Sequence, residues 1–129
     1  MTLDKGGVRM EKYKLGEKQK QLADLIWENE PLSSRTLVEL CAEVFDWKRT
    51  TTYTMLKILC ERGIFENRDA TIHSLISRED FETKQGEEFL QESFGGSLPR
   101  FLAAFTRQNR LSQKDIDELQ KLIDEHKEG

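Results

Sequence analysis

The chain has few cysteines, few histidines and no long apolar run, and each scarcity removes a class of function. A membrane-spanning helix needs about 18 or more consecutive apolar residues, and no such run exists, so no membrane insertion is expected. The N-terminal residues hold no apolar segment of the kind that marks a secretory signal, and a cytoplasmic location is expected. The two cysteines, Cys41 and Cys60, fall at apolar positions of predicted helices and read as reduced core thiols. His73 and His126 stand apart from them, so no metal-ligand spacing forms and no cofactor is expected. A glycine-rich phosphate loop is missing, as is any nucleophile beside a base. The carboxylate pairs Glu87-Glu88 and Asp124-Glu125 lie in charged helical stretches and read as solvated surface. An enzyme is therefore not expected.

Apolar residues make up 36 % of the 129, nearly matched by the 34 % that are charged. That suffices for one domain and an accessory region. The C-terminal part is so charged that its apolar surface is expected to be shared with a second chain.

The formal net charge is −4, but it is unevenly spread. Residues 1–20 carry +3 and residues 21–46 carry −5. Residues 47–68 return to +3, with Lys48, Arg49, Lys57, Arg62 and Arg68 against Glu61 and Glu66. Residues 69–110 and 111–129 are again acidic, at −2 and −3. A local basic patch is the electrostatic footprint of a polyanion reader, whatever the global balance.

Within the basic segment, Thr52, Leu56, Leu59 and Cys60 follow helical spacing on one face. Thr50, Tyr53, Thr54 and Lys57 share a face pointing largely the other way, with Thr51 beside it and Lys48 and Arg49 at the N-terminal end. Hydroxyls and cations suit base edges and phosphate oxygens, and a helix N-terminus favours phosphate. Three consecutive threonines lower helix propensity, because β-branching restricts χ1. The plain alternative is a threonine-rich solvated surface. Gly63 offers a stop. Ile64-Phe65 then starts an extended run, Glu66–Ala70 is polar and turn-like, and Thr71–Ile76 resumes strand-like composition. Helix, strand, turn and strand in this order describe a DNA-reading helix followed by a wing.

Upstream, residues 1–13 are polar with Gly6-Gly7 and are expected to be a flexible tail. The pattern predicts a helix from about Glu17 to Asn29, with Leu22, Leu25, Ile26 and Trp27 inward. Pro31 breaks the chain, and Ser33 or Ser34 caps a second helix carrying Leu37, Val38, Cys41 and Val44. Phe45-Asp46-Trp47 turns into the reading helix, which completes a helix-turn-helix.

Downstream, Phe81, Phe89, Leu90 and Phe94 mark an amphipathic helix over roughly 79–93, interrupted by Gly95-Gly96-Ser97. Leu98, Phe101, Leu102 and Phe105 form a helical stripe. Ser112 with Asp115 reads as a cap for another stripe of Ile116, Leu119, Leu122 and Ile123. These helices are too small to bury both stripes. Packing on their own domain is one outcome; a dimerisation module, with Phe89, Phe94, Leu98, Phe101, Leu102, Phe105, Leu119, Leu122 and Ile123 at the interface, is the expected one. A helix-turn-helix reader gains affinity from two half-sites.

Leu25-Ile26-Trp27, Trp47, Thr51, Thr54-Met55-Leu56, Leu59, Gly63, Phe94-Gly95-Gly96-Ser97-Leu98 and Leu111-Ser112 with Ile116 and Glu118-Leu119 form an ordered set. In that order and spacing, over about Leu15 to His126, the chain resembles the penicillinase-repressor family of bacterial transcriptional regulators. It implies a winged-helix domain over 14–78, a helical dimer domain over 79–129, and repression at a palindromic operator on double-stranded DNA. Where the family's wing holds a Gly-Arg pair and a Tyr, this chain has Ala70, Thr71 and Leu75, and its wing is one residue shorter. A wing phosphate contact is then either missing or moved to Arg68. The C-terminal Cys-x-Cys of copper-responsive members is absent, since residues 125–129 read Glu-His-Lys-Glu-Gly. Members that respond to β-lactams are cut at an Asn-Phe bond by a membrane sensor metalloprotease. The matching bond is Ala104-Phe105, which keeps the Phe and lacks the Asn.

The expected whole is mainly α: a winged helix-turn-helix with a small β-wing, then a helical dimerisation module. The expected function is a homodimeric, operator-binding repressor relieved by a signal on the C-terminal module. A winged-helix interaction module without DNA binding is the alternative, favoured by the acidic balance and the altered wing.

Overall fold

A computed structural model describes residues 13–129. The expected tail therefore lies outside the described residues, apart from Tyr13. The elements are α1 (Glu17–Asn29), β1 (Leu32–Ser33), α2 (Ser34–Phe45), α3 (Arg49–Glu61), β2 (Phe65–Arg68), β3 (Thr71–Ser74), α4 (Arg78–Phe94), α5 (Leu98–Gln108) and α6 (Gln113–Glu128). The fold is the mainly helical winged helix that the sequence implied. None of the described helices is long and apolar enough to cross a membrane. The chain forms two compact units that divide between Glu88 and Phe89, inside α4.

In the first unit, α1 buries Leu22, Ala23 and Ile26 on one stripe, with Leu25 and Trp27 half-buried beside it. At the start of α2 the Ser33 hydroxyl accepts a hydrogen bond from the Thr36 N–H at 3.0 Å. This satisfies one of the donors that every helix start leaves open. Leu37 and Cys41 face the core, whereas Val44 in the last turn is 55 % exposed. Asp46 ends the helix in the left-handed region (φ 58°), with its N–H donating to the Ala42 carbonyl at 3.1 Å and the Trp47 N–H to the Cys41 carbonyl at 3.2 Å. Asp tolerates that conformation better than most residues. Burial pushes the Cys41 and Cys60 thiols up from their ordinary range, which keeps both protonated at neutral pH.

α3 buries Thr52, Leu56 and Leu59, three positions on one face, against α1 and α2. Its stop is a Schellman motif: the Gly63 N–H donates to the Cys60 carbonyl at 3.0 Å and the Ile64 N–H to the Leu59 carbonyl at 3.2 Å. Gly63 supplies the required positive φ, 78°.

Three short strands form one antiparallel sheet in the order β1-β3-β2. Sequence patterning placed the turn across Glu66–Ala70. The structure instead carries β2 through Arg68 and turns on Asp69 and Ala70 alone, with φ of 52° and 60°. Two consecutive left-handed residues are what a two-residue hairpin turn of type I′ needs. Polar residues can extend a strand whose outer face meets solvent, and Glu66, Asn67 and Arg68 register with His73, Ile72 and Thr71. β1 escapes sequence reading because two residues show no alternation; it is fixed by register, Leu32 with Ile72 and Ser33 with Thr71.

The expected domain boundary at 78/79 and the observed division at 88/89 differ because the first turns of α4 belong to the winged-helix core. Phe81 is buried, with its ring 5.4 Å from Trp27 and 5.6 Å from Tyr13 between centroids. The Trp27 indole N–H donates to the Ile76 carbonyl at 3.0 Å. Arg78 donates to the Asp24 carbonyl at 3.0 Å and pairs with the Asp24 and Glu28 carboxylates at 3.4 and 3.5 Å. Tyr13 straps the same helix: its N–H donates to Glu88 and its carbonyl accepts from Gln85. The Arg62 guanidinium donates to the Lys14 carbonyl, which fastens this strap to the end of α3.

In the second unit, the Phe89, Phe94 and Phe101 rings lie 5.3–5.8 Å apart between centroids. Ser97 caps α5 by accepting from the Arg100 N–H, and Ser112 caps α6 by accepting from the Asp115 N–H, as its sequence position suggested. No residue of α5 or α6 is buried.

A Cβ on Gly63 would meet nothing within 4 Å, so the constraint there is purely conformational. Gly63→Ala should therefore destabilise the winged-helix unit by about 1–2 kcal/mol, the cost of placing an L side chain in the left-handed region. Urea unfolding measures it, and an unchanged midpoint would contradict a left-handed stop at this residue.

Candidate nucleic-acid interface

α3 is split lengthwise into two chemistries. Thr52, Leu56 and Leu59 are at most 3 % exposed, and they fix the rotation of the helix about its axis. Thr50, Thr54 and Lys57 consequently face solvent, with Tyr53 half-buried between them and Thr51 half-buried on the flank. Thirteen residues at about 1.5 Å each make a rod about 20 Å long. Such a rod fits a B-DNA major groove, which is about 12 Å wide.

The N-terminal end of this helix is open and positive. Lys48 is the N-cap residue and its side chain makes no capping hydrogen bond. The first turn holds no acidic residue, and Lys48 and Arg49 are both exposed there. The Arg49 guanidinium carbon lies 5.4 Å from the centroid of the Tyr53 ring. A cation over an aromatic face keeps its charge and several donors available while the ring limits its rotamers. Helix polarity and two cations together make this end attractive to phosphate. Among the residues singled out from sequence, the structure thus brings Lys48, Arg49, Thr50, Tyr53, Thr54 and Lys57 to one end and face of a single helix.

Arg68 is placed elsewhere. It lies on the outer face of β2, beside the hairpin turn, and its guanidinium binds the Glu66 carboxylate at 2.9 Å. Residues two apart on a strand share a face, so the spacing Glu66-x-Arg68 carried the signal for this pair. Sequence reading missed it because those residues were assigned to a turn, where period-two reasoning does not apply.

The second unit presents its apolar stripes without a cover of its own. Phe89, Leu98, Phe105, Leu122 and Ile123 are 41–62 % exposed, and Phe94, Phe101, Leu102 and Leu119 are half-buried. The Ala104-Phe105 bond lies inside α5, with Phe105 6.0 Å from Phe101 between ring centroids.

Comparison with known proteins identifies the family. The family model described as penicillinase repressor matches residues 15–125. The methicillin resistance regulatory protein MecI of Staphylococcus aureus is 22 % identical over 115 residues, covering 86 % of this chain and 94 % of that protein. The penicillinase repressor of Bacillus licheniformis is 22 % identical over 117 residues, covering 88 % of this chain and 91 % of its own length. The match runs through both units, α3 and the C-terminal stripes alike. The chain belongs to the penicillinase repressor family, whose members are transcriptional repressors rather than enzymes.

Proposed function

We propose that the chain is a dimeric repressor that reads a palindromic operator on double-stranded DNA through α3 and is relieved by a signal acting on its C-terminal unit. The division of α3 into a buried face and an exposed face of hydroxyls and cations supports this most. The buried face leaves no freedom in which side chains point outward. Thr50, Thr51, Tyr53, Thr54 and Lys57 are then the base-reading set, with Lys48 and Arg49 set against phosphates.

The energetics of the second unit support dimerisation. Burying a large apolar side chain is worth about 1.5–3 kcal/mol, and α5 and α6 bury none within the single chain. A second copy supplies matching stripes and sets two reading helices at a fixed spacing, the arrangement that a two-fold symmetric operator needs. Relief by cutting at Ala104-Phe105 would separate Leu98, Phe101 and Leu102 from Phe105 and the stripe of α6. The bond sits in a continuous helix, so a membrane metalloprotease must unwind α5 locally to reach it.

A second reading is an interaction module that retains the winged helix without binding DNA. The observation in its favour is the wing, where Arg68 is already paired with Glu66. Salt separates the two: a DNA reader loses affinity steeply as counterions compete, whereas an interaction module binds no duplex at any ionic strength.

Replacing Tyr53 or Thr54 by Ala should cost about 1–3 kcal/mol against the operator and less against random duplex. Equal losses on both, measured by fluorescence anisotropy, would remove these residues from the base edges. Truncation before Leu98 should leave a monomeric winged helix with much weaker operator binding. Sedimentation of the full chain as a monomer at micromolar concentration would contradict the dimer. With Ala104 where the resemblance expects Asn, the protein should resist a protease that requires Asn and be cut between Ala104 and Phe105 only by one that accepts Ala; fragment masses after co-expression with a neighbouring membrane metalloprotease measure this. Intact protein beside a derepressed promoter would place the switch elsewhere.

A further inference from the structure

The wing bears one lysine or arginine and two carboxylates. Over residues 65–74 the charged side chains are Arg68, Glu66 and Asp69, a net of −1 with His73 neutral. Asp69 occupies the turn itself, while Glu66 and Arg68 stand on the outer face of the edge strand β2. Side chains two apart on a strand are separated by about 7 Å at their bases. That gap suits a long guanidinium reaching back to a long carboxylate, and the two close to 2.9 Å. Arg68 is 69 % exposed and Glu66 34 % exposed, so the pair sits in solvent, where another anion can compete for the guanidinium. Across the strand Glu66 registers with His73, and Arg68 with Thr71.

We infer that Glu66 is a positioning residue that withholds Arg68 from the DNA backbone, and so sets the wing's contribution to affinity low. The inference rests on the DNA reading proposed above. For Arg68 to engage a phosphate it must give up the carboxylate, which then remains a few ångströms from a like charge. The exchange replaces one ion pair with another and adds a repulsion, so the net gain is small. A phosphate contact carries no sequence information. Its suppression therefore lowers binding to duplex of every sequence and leaves the larger share of affinity to the base-reading face of α3. Arg49, held over the Tyr53 ring, is not suppressed in this way, because an aromatic face does not neutralise the charge.

The test is a double-mutant cycle on the full chain with two probes: an operator duplex recovered by in vitro selection, and a scrambled duplex of equal length. Glu66→Gln and Glu66→Thr remove the charge. The second also removes the reach and suits a strand, so at least one variant keeps the fold, as circular dichroism would verify. Each should bind both duplexes about two- to five-fold more tightly at low salt, the range of an exposed ion pair. The slope of log affinity against log salt should steepen by about 0.9, the increment for one more neutralised phosphate. In an Arg68→Ala background the same replacements should give less than half the gain and no change of slope. An equal gain in that background would mean that Glu66 acts only by its own repulsion of DNA, and the inference falls. Unchanged affinity in the Glu66 variants, with normal binding by the parent, overturns it too. If parent and variants all fail to bind either duplex at low salt, it is the DNA reading itself that fails.

Discussion

The seating of α3 by Thr52, Leu56 and Leu59 against the core of Leu22, Ile26, Leu37 and Cys41 is the contact on which the rest of the interface depends. A helix alone is free to rotate about its axis, and only an asymmetric set of buried side chains fixes which residues look outward. With these positions at most 3 % exposed, the hydroxyl and cationic face follows geometrically. The ends of the helix are fixed by backbone devices: the left-handed Asp46 before it and the Schellman turn at Gly63 after it. The wing leaves that turn at Ile64, whose carbonyl accepts the Leu75 N–H at 2.8 Å, so hairpin and α3 are tied at the same point.

The two units solve the problem of burial differently. The first closes its own core around Phe65, Ile72 and Phe81, and recruits the start of α4 by hydrogen bonds from Trp27 and Arg78. The second has amphipathic helices and an aromatic cluster but no buried residue in α5 or α6. A unit of that kind is stable when a further apolar face covers it. In the proposed dimer the same contact that completes the core also sets the spacing of the readers. Anything that disrupts the second unit would then weaken operator binding without touching a DNA-facing residue.

Much of the fold was legible in the sequence because helical periodicity is long-ranged enough to survive noise. The bounds of α1, the Ser112 cap and the two faces of α3 could all be read from residue types and spacing. Four features were not legible. The strand β1 has two residues, too few for any pattern, and exists only because β3 offers it backbone partners. The wing turn was placed too broadly, since Glu66, Asn67 and Arg68 have turn-like composition and become a strand through cross-strand pairing. The boundary between units fell ten residues late, because a helix continuing through a boundary gives no local signal of where one core ends. The Glu66–Arg68 pair was lost with the wing, as it is visible only once the residues are known to alternate on a strand.

The central claim is that two α3 helices, each presenting the Thr50, Tyr53, Thr54 and Lys57 face, enter successive major grooves on one side of a duplex. Methylation interference at guanine N7, which lies in the major groove, measures this most directly on an operator selected from a random pool. The account predicts two symmetric clusters of interference, separated by a whole number of helical turns. A single cluster, a retained complex with no interference at guanine N7, or no retained complex at low salt would contradict it.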